Sequence, residues 1–346
     1  MKRLLAIVLV LCMALSLCAC GGGSASASDE KVIKIGVFEP SSGDSASGGK
    51  KEILGMQYAN SQVPEITLGG ETYKIELVYG DNGSSTDKAP SAASSLVSAG
   101  VSVVLGSYGS GVSMAGGEVF ADAEVPAIGA SCTNPGVTSL CDYYWRVCFL
   151  DPFQGTVMAN FAKDEFGAQT AYVLSQLGDD YTTGLATYFA KAFESMGGTV
   201  INEQFTEGTS DYTAYLNNAI NGGADVIFCP TSTTVASLLI NQAASMNIAM
   251  PLLAGDTWES SVILDAAKGT NLTICMSTWI SPAIIDIMKN KYNHPIAYVD
   301  RSIEAKNSSS EIASLLNIKK GDAIYTITTI AYDENDQPVE YSEAVE

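Results

Sequence analysis

The side chains in this chain suited to chemistry are hydroxyls, phenols and a few carboxylates, and they gather in five short loops. These are 40–49, 106–113, 129–135, 175–181 and 255–258. Most are rich in Ser, Thr and Gly, and together they add Tyr108, Tyr181 and Asp256. Hydroxyls and free backbone N–H groups at a helix N-terminus suit a carboxylate. An acid facing them across a cleft suits an ammonium. Together they describe a receptor for a zwitterion such as an amino acid. The same residue types are ordinary turn and cap formers, which accounts for most single hydroxyls.

Catalytic chemistry is poorly served. The chain has one His, His294, which argues against Ser–His, Cys–His and multi-His metal chemistry. No Gly-x-Ser-x-Gly surrounds Ser107 or Ser110. The cysteine spacings match no zinc pattern. The reading is therefore a binder rather than an enzyme, with no metal and no cofactor. Lys+Arg 18 against Asp+Glu 38 leaves a net charge of −20 in 346 residues. Such a surface repels phosphate backbones, so nucleic acid is not an expected partner.

The loops are positioned by an alternation of elements. Short apolar runs near 32–38, 73–79, 101–105 and 125–128 read as strands, and helical patterns separate them. The cycle resumes with strands near 171–174, 199–205, 226–229 and 252–254. Such alternation gives α/β lobes whose parallel sheets are covered on both faces. Ligands bind such sheets at the carboxyl ends of the strands, where all five loops fall. Segment 143–153, with its aromatics and Pro152, reads as the crossover between two lobes. Lobe 1 is placed at 31–150 and lobe 2 at 151–279.

The first twenty residues read as a leader. Lys2 and Arg3 precede an apolar run, 4–17, too short to span a membrane. Leu17, Cys18, Ala19 and Cys20 resemble a bacterial lipobox, with lipid on Cys20 and a flexible tether over 21–30. The expected location is extracytoplasmic, anchored to the cell membrane. Of the eight cysteines, Cys132, Cys141, Cys148, Cys229 and Cys275 lie beyond the leader. One disulfide among the first three is open, while Cys229 and Cys275 read as buried small hydrophobes.

Segments 33–43, 55–60, 103–110 and 125–135, then Arg146, Asp151, Gln154, Asp180, Tyr181, 224–226 and 255–260, resemble in order the Leu/Ile/Val-binding family of branched-chain amino-acid ABC transporters. The resemblance covers roughly 31–279 and implies a two-lobed periplasmic-binding-protein-like fold. It places the ligand carboxylate on Ser110 and Thr133. It places the ammonium on the Ser131 carbonyl, the Thr133 hydroxyl and Asp256, with Tyr181 closing over the ligand. It implies lobe closure and an ABC transporter permease as partner. Gly48 stands where many members have an aromatic, and an aromatic near Ser232 and Thr233 is absent, which implies a changed or wider pocket.

From about 281 the chain resembles part of a UTRA effector-binding domain of GntR-type regulators, on 287–292, 299–305, 311–322, 327–333 and 337–342. Read from its residues, this stretch is a small α+β segment ending in an antiparallel hairpin. The resemblance places Arg301 and Glu340 near a small-molecule site. It leaves the first lobe without its usual closing elements, so an incomplete first lobe is expected. It also leaves alternatives: a ligand-sensing regulatory module, a genuine fusion, or a non-functional joining of two partial genes.

Overall fold

The computed structural model describes residues 31–277, together with the backbone of strands 298–307, 323–332 and 338–345. The expectations for the leader, Cys20, the tether, His294 and the helices within 287–292 and 311–322 lie outside the described residues.

The first lobe runs β1 (Val32–Glu39), α1 (Ala46–Gln62), β2 (Glu65–Leu68), β3 (Glu71–Asp81) and α2 (Ala89–Ser98). It continues with β4 (Val103–Leu105), α3 (Ser110–Asp122), β5 (Ala127–Gly129), α4 (Gly136–Ser139) and β6 (Tyr144–Arg146). Its sheet has the order β2-β3-β1-β4-β5-β6 and is parallel except for β2. Phe38 packs edge-on to Phe120 at 5.3 Å, which seats α3 on β1.

The second lobe runs α5 (Asp151–Phe166), β7 (Thr170–Gln176), α6 (Asp180–Ser195), β8 (Thr199–Phe205) and α7 (Thr213–Asn221). Then come β9 (Val226–Phe228), α8 (Thr233–Ser245), β10 (Leu252–Ala254), α9 (Ser261–Ala267) and β11 (Ile274–Met276). The sheet order is β11-β10-β9-β7-β8, all parallel. The centre of β7 and the whole of β9 and β10 are buried, as strands covered on both faces must be. Phe189 of α6 stacks on Phe228 of β9 at 4.1 Å.

Three strands escape the sequence reading: β2, β6 and β11. β2 pairs with β3 through Gly69 (φ 60°) and Gly70 (φ 85°), a two-residue turn that needs left-handed backbone at both positions. The aromatics of the supposed crossover belong to β6, where Tyr144 and Trp145 pair with Ala127 and Ile128 of β5. The chain then runs on between the lobes in the later half of the same segment. Leu150 is extended, Pro152 lies in the first turn of α5, and Asp151 N–H donates to Thr133 O at 3.1 Å.

The backbone of β12 (Tyr298–Asn307), β13 (Ala323–Tyr332) and β14 (Pro338–Val345) forms a three-stranded antiparallel sheet. This agrees with the hairpin read from the sequence. Arg301 sits opposite Thr329, and Glu340 opposite Ala331.

Candidate functional site

A cleft opens where the carboxyl ends of both sheets face each other. It holds about 480 Å³ of empty space, its open mouth included. Ser110 and Ser131 line it from the first lobe, and Tyr181 and Asp256 from the second. Thr133 is fully buried and lies outside this lining.

Ser110 opens α3, preceded by Gly109 at φ 104°. The first N–H groups of a helix have no acceptor within it, so this end carries free donors and positive dipole charge. Ser110 Oγ accepts the Asn134 N–H at 3.1 Å, which leaves its own proton to donate. Ser131 sits in the loop after β5. Arg146 fixes that loop by donating to Cys132 O (2.9 Å), Asn134 O (2.7 Å), Pro135 O (3.1 Å) and Thr138 Oγ1 (2.7 Å).

In the second lobe, Asp256 starts a single 3-10 turn after β10. Its Oδ1 accepts from Gln154 Nε2 and from the Tyr181 hydroxyl, each at 2.8 Å. Burial raises the Asp256 pKa, while those two hydrogen bonds favour the carboxylate. Oδ2 is the oxygen left for a ligand. Tyr181 reaches Asp256 past Gly255, where a Cβ would strike its hydroxyl.

Behind the first-lobe wall lies a pair of acids that the sequence reading missed. Ser131 Oγ donates to Glu52 Oε1, and Tyr108 N–H donates to Glu39 Oε2 at 2.8 Å. Glu39 and Glu52 lie within hydrogen-bonding reach of each other, and Glu39 Oε1 and Glu52 Oε2 have no donor among the described residues. A proton held between the carboxyls satisfies both. Burial and the neighbouring Glu52 charge push Glu39 well above the usual carboxylate range, and burial raises Glu52. The available signal was Glu39 itself, an acid closing an apolar strand just before Pro40.

Of the changed or wider pocket expected, the arrangement at Gly48 is a changed one. The Tyr108 ring lies against Gly48 so closely that a Cβ there would collide with it. An aromatic is present after all, delivered from the loop after β4 instead of from the first loop. Thr133 faces Asp151 in the wall. The Thr133 hydroxyl and both Asp151 oxygens are buried without hydrogen-bond partners among the described residues. Burial pushes Asp151 up to about 7, opposed by the Thr133 hydroxyl beside it.

The two lobes touch across the cleft. Asn134 Nδ2 donates to Asp180 O at 2.8 Å, Thr234 Oγ1 to Asp44 O at 3.2 Å, and Lys51 Nζ to Glu259 O at 2.9 Å. Ser47 and Ser260 hydroxyls meet at 3.2 Å. These contacts describe a closed arrangement. Cys132, Cys141 and Cys148 are free thiols, with Cys132 and Cys148 within reach of each other. Cys229 is buried, whereas Cys275 is only half-buried.

Comparison with known proteins bears on the whole chain. The sequence pattern of the periplasmic binding protein family matches residues 32–291, and that of the UTRA domain matches 278–345. A Leu/Ile/Val-binding protein homologue of Brucella abortus is 26% identical over 332 residues, covering 88% of this chain and 87% of that protein. The fold is similar to a leucine-binding protein of Thermotoga maritima, with TM-score 0.68 and 23% identity over 91% of this chain and 98% of the other. It is also similar to the branched-chain amino-acid transporter substrate-binding protein of Streptococcus pneumoniae in complex with isoleucine. There the TM-score is 0.65 and the identity 24%, over 91% of this chain and 100% of the other.

Proposed function

The chain belongs to the periplasmic binding protein family, and from that premise we propose that it is an extracytoplasmic receptor that captures an amino acid by lobe closure and delivers it to an ABC transporter permease. The observation that carries this reading is the opposition of Ser110, at the start of α3, to Asp256 across one cleft. A carboxylate fits the helix end and an ammonium fits the acid. Ligand contacts to both lobes exist only when the lobes meet, so binding favours the closed state. The expected leader adds a lipid anchor at Cys20. The function is binding and release, with no bond made or broken.

Calorimetry of the mature chain, with Cys20→Ser replacing the lipidated residue, against the twenty amino acids tests the reading. One or a few should bind. A folded protein that binds none of them would overturn it.

A second reading concerns residues 278–345 alone. Their match to the UTRA domain favours a separate small-effector site near Arg301 and Glu340. Binding of a phosphorylated sugar that is lost in Arg301→Ala would support it.

A further inference from the structure

Gly109 aside, each side chain lining the cleft ends in a hydroxyl, an amide or a carboxylate, although carbon makes up the larger part of the lining surface. Among the described residues, no Ala, Val, Leu, Ile or Met lines it. The ring carbon present belongs to Tyr108 and Tyr181, each ending in a phenol. A branched hydrocarbon placed here would strip water from hydroxyls and carboxylates and return no hydrogen bond.

The wall also has a hydrogen-bond direction. Ser131 gives its proton to Glu52, Tyr181 gives its proton to Asp256, and Thr257 gives its proton to Thr231 O at 2.8 Å. Each therefore turns a lone pair toward the cleft. Asp179 and Asp256 add carboxylates, and among the described residues no Lys, Arg or His lines the cleft. Behind that wall Glu52 takes the Ser131 proton and Glu39 takes the Tyr108 N–H, which holds both residues in place. Tyr108, lying on Gly48, takes up the space a long side chain would need.

Resting on the amino-acid reading, we infer that this cleft selects an amino acid whose short side chain carries hydrogen-bond donors, a hydroxyl or a primary amide, and rejects leucine, isoleucine and valine. The carboxylate goes to the Ser110 end of α3 and the ammonium to Asp256, as before. The side chain then donates to acceptors on the Ser131 side. A site built from buried acceptors discriminates strongly against a ligand that lacks the donor.

Titration calorimetry with serine, threonine and asparagine beside leucine, isoleucine and valine decides it. At least one of the first three should bind on the order of 100-fold more tightly than any of the last three. Binding of leucine, isoleucine or valine as tightly as the polar set overturns the inference and leaves the amino-acid reading standing. Failure of every amino acid to bind a cooperatively melting protein overturns that reading instead. Ser131→Ala supplies a second measurement. It should weaken the polar ligand and narrow its advantage over leucine, and an unchanged ratio in a folded variant would overturn the acceptor role of this wall.

Discussion

Gly184 in α6 lies so close to Asn134 of the opposite lobe that a Cβ on it would sit 2.7 Å from Asn134 Nδ2. The same amide donates to Asp180 O at 2.8 Å. Gly184→Ala therefore separates fold from closure. Alanine in a helix interior gains about 1 kcal/mol over glycine, so the free protein should melt at the same temperature or higher. Closure must give up the Asn134–Asp180 bond or move the lobes apart. Ligand affinity should fall about tenfold, and the ligand-induced rise in melting temperature should shrink. Unchanged affinity in calorimetry would show that the lobes meet differently when ligand is bound.

Asp256→Asn should cost about 2–5 kcal/mol of binding, the range for removing one partner from a buried charge pair. The asparagine keeps the shape and one acceptor but loses the charge. Burial raises the pKa of this acid, so the wild-type affinity should decline on acidification as the carboxylate takes a proton. The asparagine variant should lose that pH dependence. Isothermal titrations between pH 4 and 8 measure both effects.

Asp151 links stability to pH. Its folded-state pKa is pushed up to about 7, above the ordinary value of 3.8. The folded state thus holds a proton that the unfolded state has released. Stability from this group is complete below about pH 4 and is lost as pH rises toward 7. Thermal melts of wild type should show a decline across that window. Asp151→Asn, neutral at every pH, should flatten it. Glu39 is raised in the same direction and contributes a decline of its own, so the flattening will be partial.

Gly48→Phe should disrupt the cleft on its own, because the Tyr108 ring already occupies that space. Removing the ring at the same time, in Gly48→Phe with Tyr108→Gly, should recover part of the loss. A double-mutant cycle on ligand affinity should show a coupling of about 1–3 kcal/mol. Additive effects would mean that the two positions do not share one space.

Cys20→Ala should move the protein from the membrane fraction to the soluble extracytoplasmic fraction of expressing cells. Mass spectrometry of the wild-type N-terminus should find the lipid on Cys20. An unmodified Cys20 in a membrane-free protein would remove the anchor from the account.

The alternation of apolar runs and helical patterns was enough to place most strands and to mark the loops that form the cleft, because parallel sheets expose their binding loops in a fixed way. That placed the loops holding Ser110, Ser131, Tyr181 and Asp256, while the choice of those four residues within the loops came from the family resemblance. β2 carried its signal in the Gly69–Gly70 pair, which the reading passed over. β6 was hidden because its aromatics, so near Pro152, were read as part of a crossover and not as an apolar strand. Glu39 and Glu52 were not legible as a pair, since one closes a strand and the other rides on α1, and only packing brings them together. Tyr108 was visible as a phenol, but its place on Gly48 depends on how two loops cross.

Arg146 ties down the carbonyls of Cys132, Asn134 and Pro135 before any ligand arrives. Ordering a free backbone costs about 1–2 kcal/mol per residue, so a floppy loop of this length would cancel most of what a small ligand can offer. Here that entropy is lost during folding, at the time the chain is made, and not at each capture. Under the lobe closure proposed above, what remains to be ordered on each encounter is the mutual placement of the two lobes, and a substitution at Arg146 should register as a slower, more temperature-sensitive association even though the residue stands behind the wall.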